Sequence, residues 1–229
     1  MSGRGAQAGG FAGFPADGPA FFAELEADNS KAFWQANRHR YEANVKEPML
    51  ALADALGEFG PFHLFRPYND VRFAKGRPPY KTAAGMYGES EGGAGYYIQL
   101  SANGLLLGGG MYSMASDQLT RFRDAIVDDS TGARLEQLGA QIEAAGYELG
   151  AMDSLKTAPR GYPKDHPRIT YLRRKGLVAT RAVGDPAWLS TREAADRIRE
   201  VWDSLGPLFE WLGVHVGPST LPPDDATRW

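Results

Sequence analysis

The sequence predicts an α+β fold: a single domain with a mainly antiparallel central sheet flanked by helices. Three observations carry that prediction. Apolar residues recur at helical spacing in both outer thirds of the chain. Alternating, turn-bounded segments suited to strands cluster in the middle, with one more near residue 180. Strands and helices do not alternate strictly, which argues against a doubly wound parallel sheet.

Residues 1–13 read as a flexible, Gly-rich tail, with Phe11, Phe14 and Pro15 marking the first contact with the core. Asp17 can cap a short helix through Phe21, Phe22 and Leu25. Asn29 or Ser30 can cap the next, whose Phe33, Trp34, Tyr41 and Val45 fall at helical spacing. Pro48 suits the first turn of a third helix through Leu50, Leu52, Ala53 and Leu56, ended near Gly57 or Gly60. The period then changes. Residues 70–74 alternate as a half-buried strand does, with Val71 and Phe73 on one face and Asp70 and Arg72 on the other. Residues 76–79 form a loop. Residues 96–101 form a strand, and Asn103-Gly104 turns it into a hairpin with 105–108.

Ser116 or Asp117 starts a helix carrying Leu119, Phe122 and Ile126, and Thr131 starts another that stops at Gly146. Pro159, Pro163 and Pro167 interrupt the next segment, with a short helix starting at Asp165 or His166. Residues 177–183 read as a strand, and a long helix from Thr191 is kinked or divided at Pro207. Trp34, Trp188, Trp202 and Trp211 are expected in the core. The domain is expected over 14–216, with a Pro-rich, acidic tail at 217–229.

The 229 residues suit one large domain or two small ones, and a hydrophobic content of 43% excludes a disordered chain. No apolar run is long enough to span a bilayer, so no membrane partner is expected. The N-terminus lacks an apolar signal core, and the cytoplasm is the expected compartment. The absence of cysteine excludes disulfides, thiol chemistry and Cys-ligated zinc. His39, His63, His166 and His215 lack metal-ligand spacing, and no metal site is expected. Gly108-Gly109-Gly110 lacks the spacing of a phosphate loop or a dinucleotide fingerprint, so no cofactor is expected. A weak anion cradle or close backbone packing are its two readings.

Charge is the informative part. The net charge of −3 argues against a global nucleic-acid binder. Its distribution is uneven. Residues 65–82 hold Arg66, Arg72, Lys75, Arg77 and Lys81 against Asp70 alone, interleaved with Tyr68, Phe73 and Tyr80. Residues 156–175 hold Lys156, Arg160, Lys164, Arg168, Arg173, Arg174 and Lys175 against Asp165 alone. These two stretches contain 12 of the 25 Lys and Arg and 2 of the 28 Asp and Glu, leaving a balance of −13 elsewhere. If the two stretches meet, they form a focused positive field.

Three blocks resemble a bacterial and fungal family, domain of unknown function 2461. Asn29-Ser-Lys-Ala-Phe-Trp34, followed by Arg38 and Tyr41, is similar to the family's Asn-Asn-x-x-Trp-Phe helix. Asp70-Val-Arg-Phe-Ala-Lys75 with Pro79-Tyr-Lys-Thr82 resembles its most specific core. There Ala74 stands where the family has Ser, and Gly76-Arg77 where it has Asp-Lys. Pro159-Arg-Gly-Tyr162, Asp165-His-Pro167, Leu172-Arg173 and Lys175 form the third block. The resemblance spans about 14–212. It implies a single-domain architecture and supplies no catalytic residue, substrate or cofactor.

The residues themselves suggest a ligand site. Arg72 and Lys81, with Arg66, Lys75 and Arg77, can form an anion clamp, since Arg binds carboxylate or phosphate bidentately and Lys acts as a point charge. Arg160 and Arg168 can join from the second stretch. Tyr68 and Tyr80 can cover the apolar part of a ligand. Asp70, Tyr80 and His166 are the groups available for proton transfer, although an Asp at the Asp70 position more often orients its neighbour Arg72, and Asp165 caps a helix beside His166. Arg173, Arg174 and Lys175 read as solvated charge at a helix C-terminus. The expected function is binding of an anionic small molecule in a basic, aromatic-lined pocket, with or without catalysis. A single-stranded nucleic-acid module is the alternative. A structural domain with internal ion-pair networks is the third.

Overall fold

A computed structural model describes residues 10–70, 76–89 and 92–222. Helices α1 (Asp17–Ala27), α2 (Lys31–Tyr41) and α3 (Glu47–Ala55) come first. Strands β1 (Phe62–Leu64), β2 (Ala83–Glu89), β3 (Gly95–Ser101) and β4 (Gly104–Met111) succeed them. Then come α4 (Ser116–Val127), α5 (Asp129–Ala144), β5 (Glu148–Gly150), α6 (Ile169–Leu172), β6 (Leu177–Gly184), α7 (Glu193–Asp203) and α8 (Gly206–His215). The strands form an antiparallel sheet in the order β1-β2-β3-β4-β6-β5, which is the α+β architecture the sequence predicts. Phe62 lies opposite Gly88 in the β1–β2 pair, and Glu148 opposite Thr180 in the β5–β6 pair.

The chain divides into two compact units. The first comprises Met1–Gly88, Tyr97–Leu107 and Ala182–Val201; the second comprises Glu89–Tyr96, Gly108–Arg181 and Trp202–Trp229. In the first, Phe14, Phe21, Phe22, Leu25, Val45, Leu52, Met86 and Leu100 are fully buried. Phe11 is already packed there, edge-on to Phe14, whose N–H donates to Leu189 O. In the second, α4, α5 and α8 pack together around Phe122, Ile126, Leu135, Leu208 and Leu212.

Local chemistry sets the ends of these elements. Ser30 caps α2, its Oγ accepting from Phe33 N at 3.1 Å. Asp17 does not cap α1, because Arg40 and Asn44 claim its carboxylate, each at 2.9 Å. Chain entry into α3 passes through a π-helical turn, Glu42–Lys46, in which Glu47 N donates to Glu42 O five residues back. Pro48 explains the widening. It has no N–H to offer, and its ring presses on the carbonyl of Asn44 in a regular helix. Asn103-Gly104 makes the expected hairpin turn: Gly104 has φ +80°, and a Cβ there would meet the backbone of Gly184. Gly108, Gly109 and Gly110 lie within β4 rather than after it. Ala179 O, the Phe209 ring and Leu177 O approach them closely, which favours packing over an anion cradle.

Several expectations are corrected. Ser116 and Asp117 do not cap α4; Gln118 Oε1 accepts from Ala115 N at 2.9 Å instead. Asp128 caps α5, accepting from Ser130 N and Thr131 N, so that helix starts before Thr131. The short helix near 165 is the single turn α6, and neither Asp165 nor another side chain caps it. His166 lies just before it and accepts from Arg168 N through Nδ1 at 3.0 Å. Of the two outcomes expected at Pro207, division is the one found: it sits in the first turn of α8. Leu50 is exposed and Trp188 only half-buried. The described part of the expected tail is fastened to α4: Gln118 and Arg121 donate to the Gly217, Val216 and Pro218 carbonyls, and Asp117 accepts from Ser219 and Thr220. The expected strand 70–74 falls mostly outside the described residues, with Arg72, Phe73 and Lys75.

Candidate functional site

The site begins as a piece of backbone that cannot become ordinary sheet. Residues 65–70 run beside 77–82, bridging at Tyr68 and Tyr80. Asn69 N donates to Pro79 O at 2.9 Å, and Lys81 N donates to Pro67 O at 2.8 Å. Pro67, Pro78 and Pro79 lack N–H groups, so a continuous ladder is impossible and side chains complete the pairing. Asn69 Nδ2 donates to Pro78 O and Tyr80 O. From the start of α2, Asn29 clamps Tyr80 with both ends of its carboxamide: Oδ1 accepts from Tyr80 N at 3.0 Å and Nδ2 donates to Tyr80 O at 3.1 Å. The first two sequence blocks thereby meet.

Aromatic rings lock this ribbon to α2. Tyr80 stacks on Trp34 with centroids 4.4 Å apart and planes 9° from parallel. Tyr68 lies edge-on to Trp34 at 5.8 Å and tilted on Tyr80 at 5.5 Å. Burial pushes the Tyr41 phenol up to about 12, and pushes Tyr80 upward too, with Tyr68 adding to both. Tyr80 is therefore a neutral phenol at neutral pH, a hydrogen-bond donor rather than a base. Tyr68 and Phe65 remain accessible, at 42% and 36%.

The cations of this ribbon stand differently. Arg66 and Arg77 are exposed and Lys81 is half-buried, its ammonium 5.4 Å from the centroid of the Phe65 ring. Among the described residues, none of these three pairs with a carboxylate. Burial, then Arg66 and Arg77, hold the Lys81 ammonium below the ordinary lysine range. Among the described residues, these like charges are held together without a paired carboxylate. Asp70 is half-buried at the end of 65–70. Arg72 and Lys75, which the sequence places in the same clamp, lie outside the described residues.

Beside the ribbon is an open cleft of about 220 Å³. Trp34, Tyr41, Phe65 and Tyr68 supply its aromatic lining, and Arg38, Glu42, Lys46 and Arg66 its charges. Glu42 is shared by Lys46 at 2.6 Å and Arg38 at 3.5 Å, and the two cations hold its carboxyl below the usual range, Lys46 most strongly. The π-helical turn forms this wall, which is where such turns are often found in functional sites. Glu42 and Lys46 are not among the residues the sequence singles out, and Arg38 is named only within the first family-like block, yet their i, i+4 spacing on one helix face is a readable signal.

Residues 18–211 match the family of conserved hypothetical proteins DUF2461. The chain belongs to that family. Among curated proteins and among solved structures, nothing matches. The DUF2461 span contains the ribbon, the cleft and both basic stretches.

In this DUF2461 chain the second basic stretch belongs to the second unit, and its side chains are mostly engaged. Arg168 is only 12% exposed; Nε donates to Glu136 at 2.8 Å and Nη1 to Ile126 O at 3.2 Å. Arg173 donates to Leu155 O and Lys156 O. Arg174 donates to Leu149 O at 3.0 Å and lies over the Tyr171 ring at 4.6 Å, and burial lowers its pKa. Lys175 pairs with Asp153 at 2.6 Å. The expectation of solvated charge at 173–175 is thus corrected: these side chains fasten the irregular segment 149–156 to the residues before β6. Arg160 is exposed. No three His, Cys, Asp or Glu side chains converge among the described residues, and none of the described helices is long and apolar enough to cross a membrane.

Proposed function

We propose that this DUF2461 chain binds a phosphate- or carboxylate-bearing small molecule in the cytoplasm, with Arg66, Arg77 and Lys81 as its charge anchors. One observation carries the reading: three cations gathered on one ribbon, with no carboxylate paired to them among the described residues. Gathering them costs Coulomb energy that a bound anion returns, and the Arg forks and the Lys point charge suit phosphate or carboxylate. Arg72 and Lys75 belong to the same sequence stretch and are assigned to the same task. Of the second stretch, Arg160 is exposed, whereas Arg168 is already engaged by Glu136. The reading is one of binding. Asp70 and His166 remain the groups available for proton transfer, and no reaction is assigned.

The accessible rings of Phe65 and Tyr68 beside these cations favour a second reading, since stacking plus phosphate contact is how proteins hold single-stranded nucleic acid. Calorimetric titration separates the two. Inorganic phosphate, a sugar phosphate, a dicarboxylate and a short oligonucleotide are titrated at low and high salt into the parent and into Arg77→Ala and Lys81→Ala. A small anion is expected to bind. A charge-assisted contact contributes about 1.5–3 kcal/mol, so each substitution weakens binding roughly ten- to hundredfold. The thermal midpoint should hold. Oligonucleotide binding with a steep salt slope and no small-anion binding would select the second reading. Binding that ignores both substitutions overturns the first.

A further inference from the structure

We infer that the bound anion is carried on a planar ring, as in a nucleoside monophosphate, and that the ring enters the cleft beside the π-helical turn. This rests on the anion site proposed above and adds what the rest of the ligand is.

The cleft and the cation cluster are one surface. Arg66 lines the cleft and is also one of the two arginines that repel Lys81. Phe65 lines the cleft and lies beneath the Lys81 ammonium. A molecule touching one feature is therefore in reach of the other. Size then divides the ligand. At about 220 Å³ the cleft falls below the roughly 300–1,000 Å³ of pockets that enclose a whole drug-sized molecule. It has room for one ring system. The charged group is then assigned to the cation cluster, which the cleft meets at Arg66.

The lining is suited to a ring. Tyr68 is accessible, yet Trp34 and Tyr80 hold it from behind, so its plane is set before anything binds. On the helical wall Arg38 is 62% exposed, and a guanidinium of that kind stacks on aromatic faces. Glu42, kept ionised by Lys46 and Arg38, is an acceptor for a ring N–H. Stacking plane, cationic plane and carboxylate acceptor together are the features that recognise a heterocyclic base.

The test uses the full chain and four probes in calorimetric titration: adenosine 5′-monophosphate, uridine 5′-monophosphate, ribose 5-phosphate and inorganic phosphate. At least one nucleotide should bind tenfold or more tightly than ribose 5-phosphate. Tyr68→Ala should abolish that advantage while leaving ribose 5-phosphate affinity in place, and Tyr68→Phe should keep it. Arg38→Gln reads the same advantage from the opposite wall, independently of how Tyr68→Ala folds. Arg77→Ala should weaken nucleotide and ribose 5-phosphate alike. If both nucleotides and ribose 5-phosphate bind equally, the ring assignment is overturned and the anion site stands. Should no probe bind, both are overturned.

Discussion

In residues 156–175, Arg168, Arg173, Arg174 and Lys175 end on acceptors the protein itself provides, two of them largely on main-chain carbonyls. In residues 65–81, Arg66, Arg77 and Lys81 end on none of its described carboxylates, and Lys81 is depressed by burial and by its two neighbours. Both stretches are basic, broken by proline and nearly free of acid. What separates them is the supply of acceptors. The second stretch crosses a segment with little regular pairing, where Leu155 N donates to Arg173 O and Lys175 N to Asp153 O. The arginines there finish what secondary structure leaves undone. The first stretch is already tied by Asn29, Asn69 and the Trp34–Tyr80 stack, so its cations are not needed for shape. Charge density along a sequence thus says less about binding than whether the fold consumes the charge.

Thermal unfolding tests this division most strongly. Arg168→Ala strands Ile126 O, and Arg174→Ala strands Leu149 O. Leaving a buried acceptor unsatisfied costs about 1–3 kcal/mol. At about 2–4 °C per kcal/mol, each midpoint should fall by roughly 2–12 °C. Phosphate affinity should not change in either. Lys81→Ala should do the opposite: a midpoint unchanged or raised, because a desolvated, repelled ammonium is removed. If Lys81→Ala falls as far as Arg168→Ala, the first stretch is architecture too and the contrast collapses.

An effect of the same order is expected at Asn29. Asn29→Ala removes two hydrogen bonds to the Tyr80 backbone, a loss of roughly 1–3 kcal/mol at about 0.5–1.5 each. Here stability and anion affinity should fall together, since the clamp sets the ribbon's shape. An affinity unchanged by a midpoint drop would show that the ribbon's register does not position its cations.

The two stretches should also answer to opposite ends of the pH scale. Lys81 has a lowered folded-state pKa, so below the ordinary lysine value of 10.5 the unfolded chain binds this proton more tightly. Its contribution to stability therefore improves as pH rises through the folded pKa towards 10.5, while anion affinity is lost over the same window. Asp153 is lowered by Lys175, so its contribution is present above 3.8 and disappears as pH falls through its folded value. Titrating phosphate affinity from neutral to alkaline pH in the parent and in Lys81→Arg checks the first. Loss of the parent's alkaline decline would have to accompany the substitution, because arginine keeps its charge.

Much of the fold is legible in the sequence, and the failures share a cause. The Ser30 cap, the Asn103-Gly104 hairpin and the strand at β6 depend on neighbours in sequence, and local pattern reveals them. Asp17 and Asp165 look like caps and are not. The Asp17 carboxylate has its partner 23 residues away, a distance no window sees, and His166 rather than Asp165 serves the turn before α6. Arg173, Arg174 and Lys175 look solvated because their acceptors lie 17 to 25 residues upstream. The π-helical turn is hidden because Pro48 signals only a helix start, and its effect on the preceding turn is steric. The ribbon stands out in the sequence as basic and aromatic. That Tyr80 serves as core and Tyr68 as surface depends on the Asn29 clamp, which joins residues 51 apart.

The weakest expected effect tells ion pairs from main-chain ties within the second stretch. Lys175 and Asp153 are 42% and 65% exposed, and an exposed pair of that kind contributes little once solvent screening and side-chain entropy are counted. Lys175→Met should therefore leave the midpoint at neutral pH unmoved and remove only the acid sensitivity that Asp153 contributes. Arg173→Met, which deprives Leu155 O and Lys156 O of their donor, should lower the midpoint although it breaks no ion pair among the described residues. Equal losses from the two would mean that the stretch is held by Coulomb attraction between charged side chains. A loss confined to Arg173→Met would identify its arginines as donors to backbone, chosen for the geometry of the guanidinium rather than for its charge.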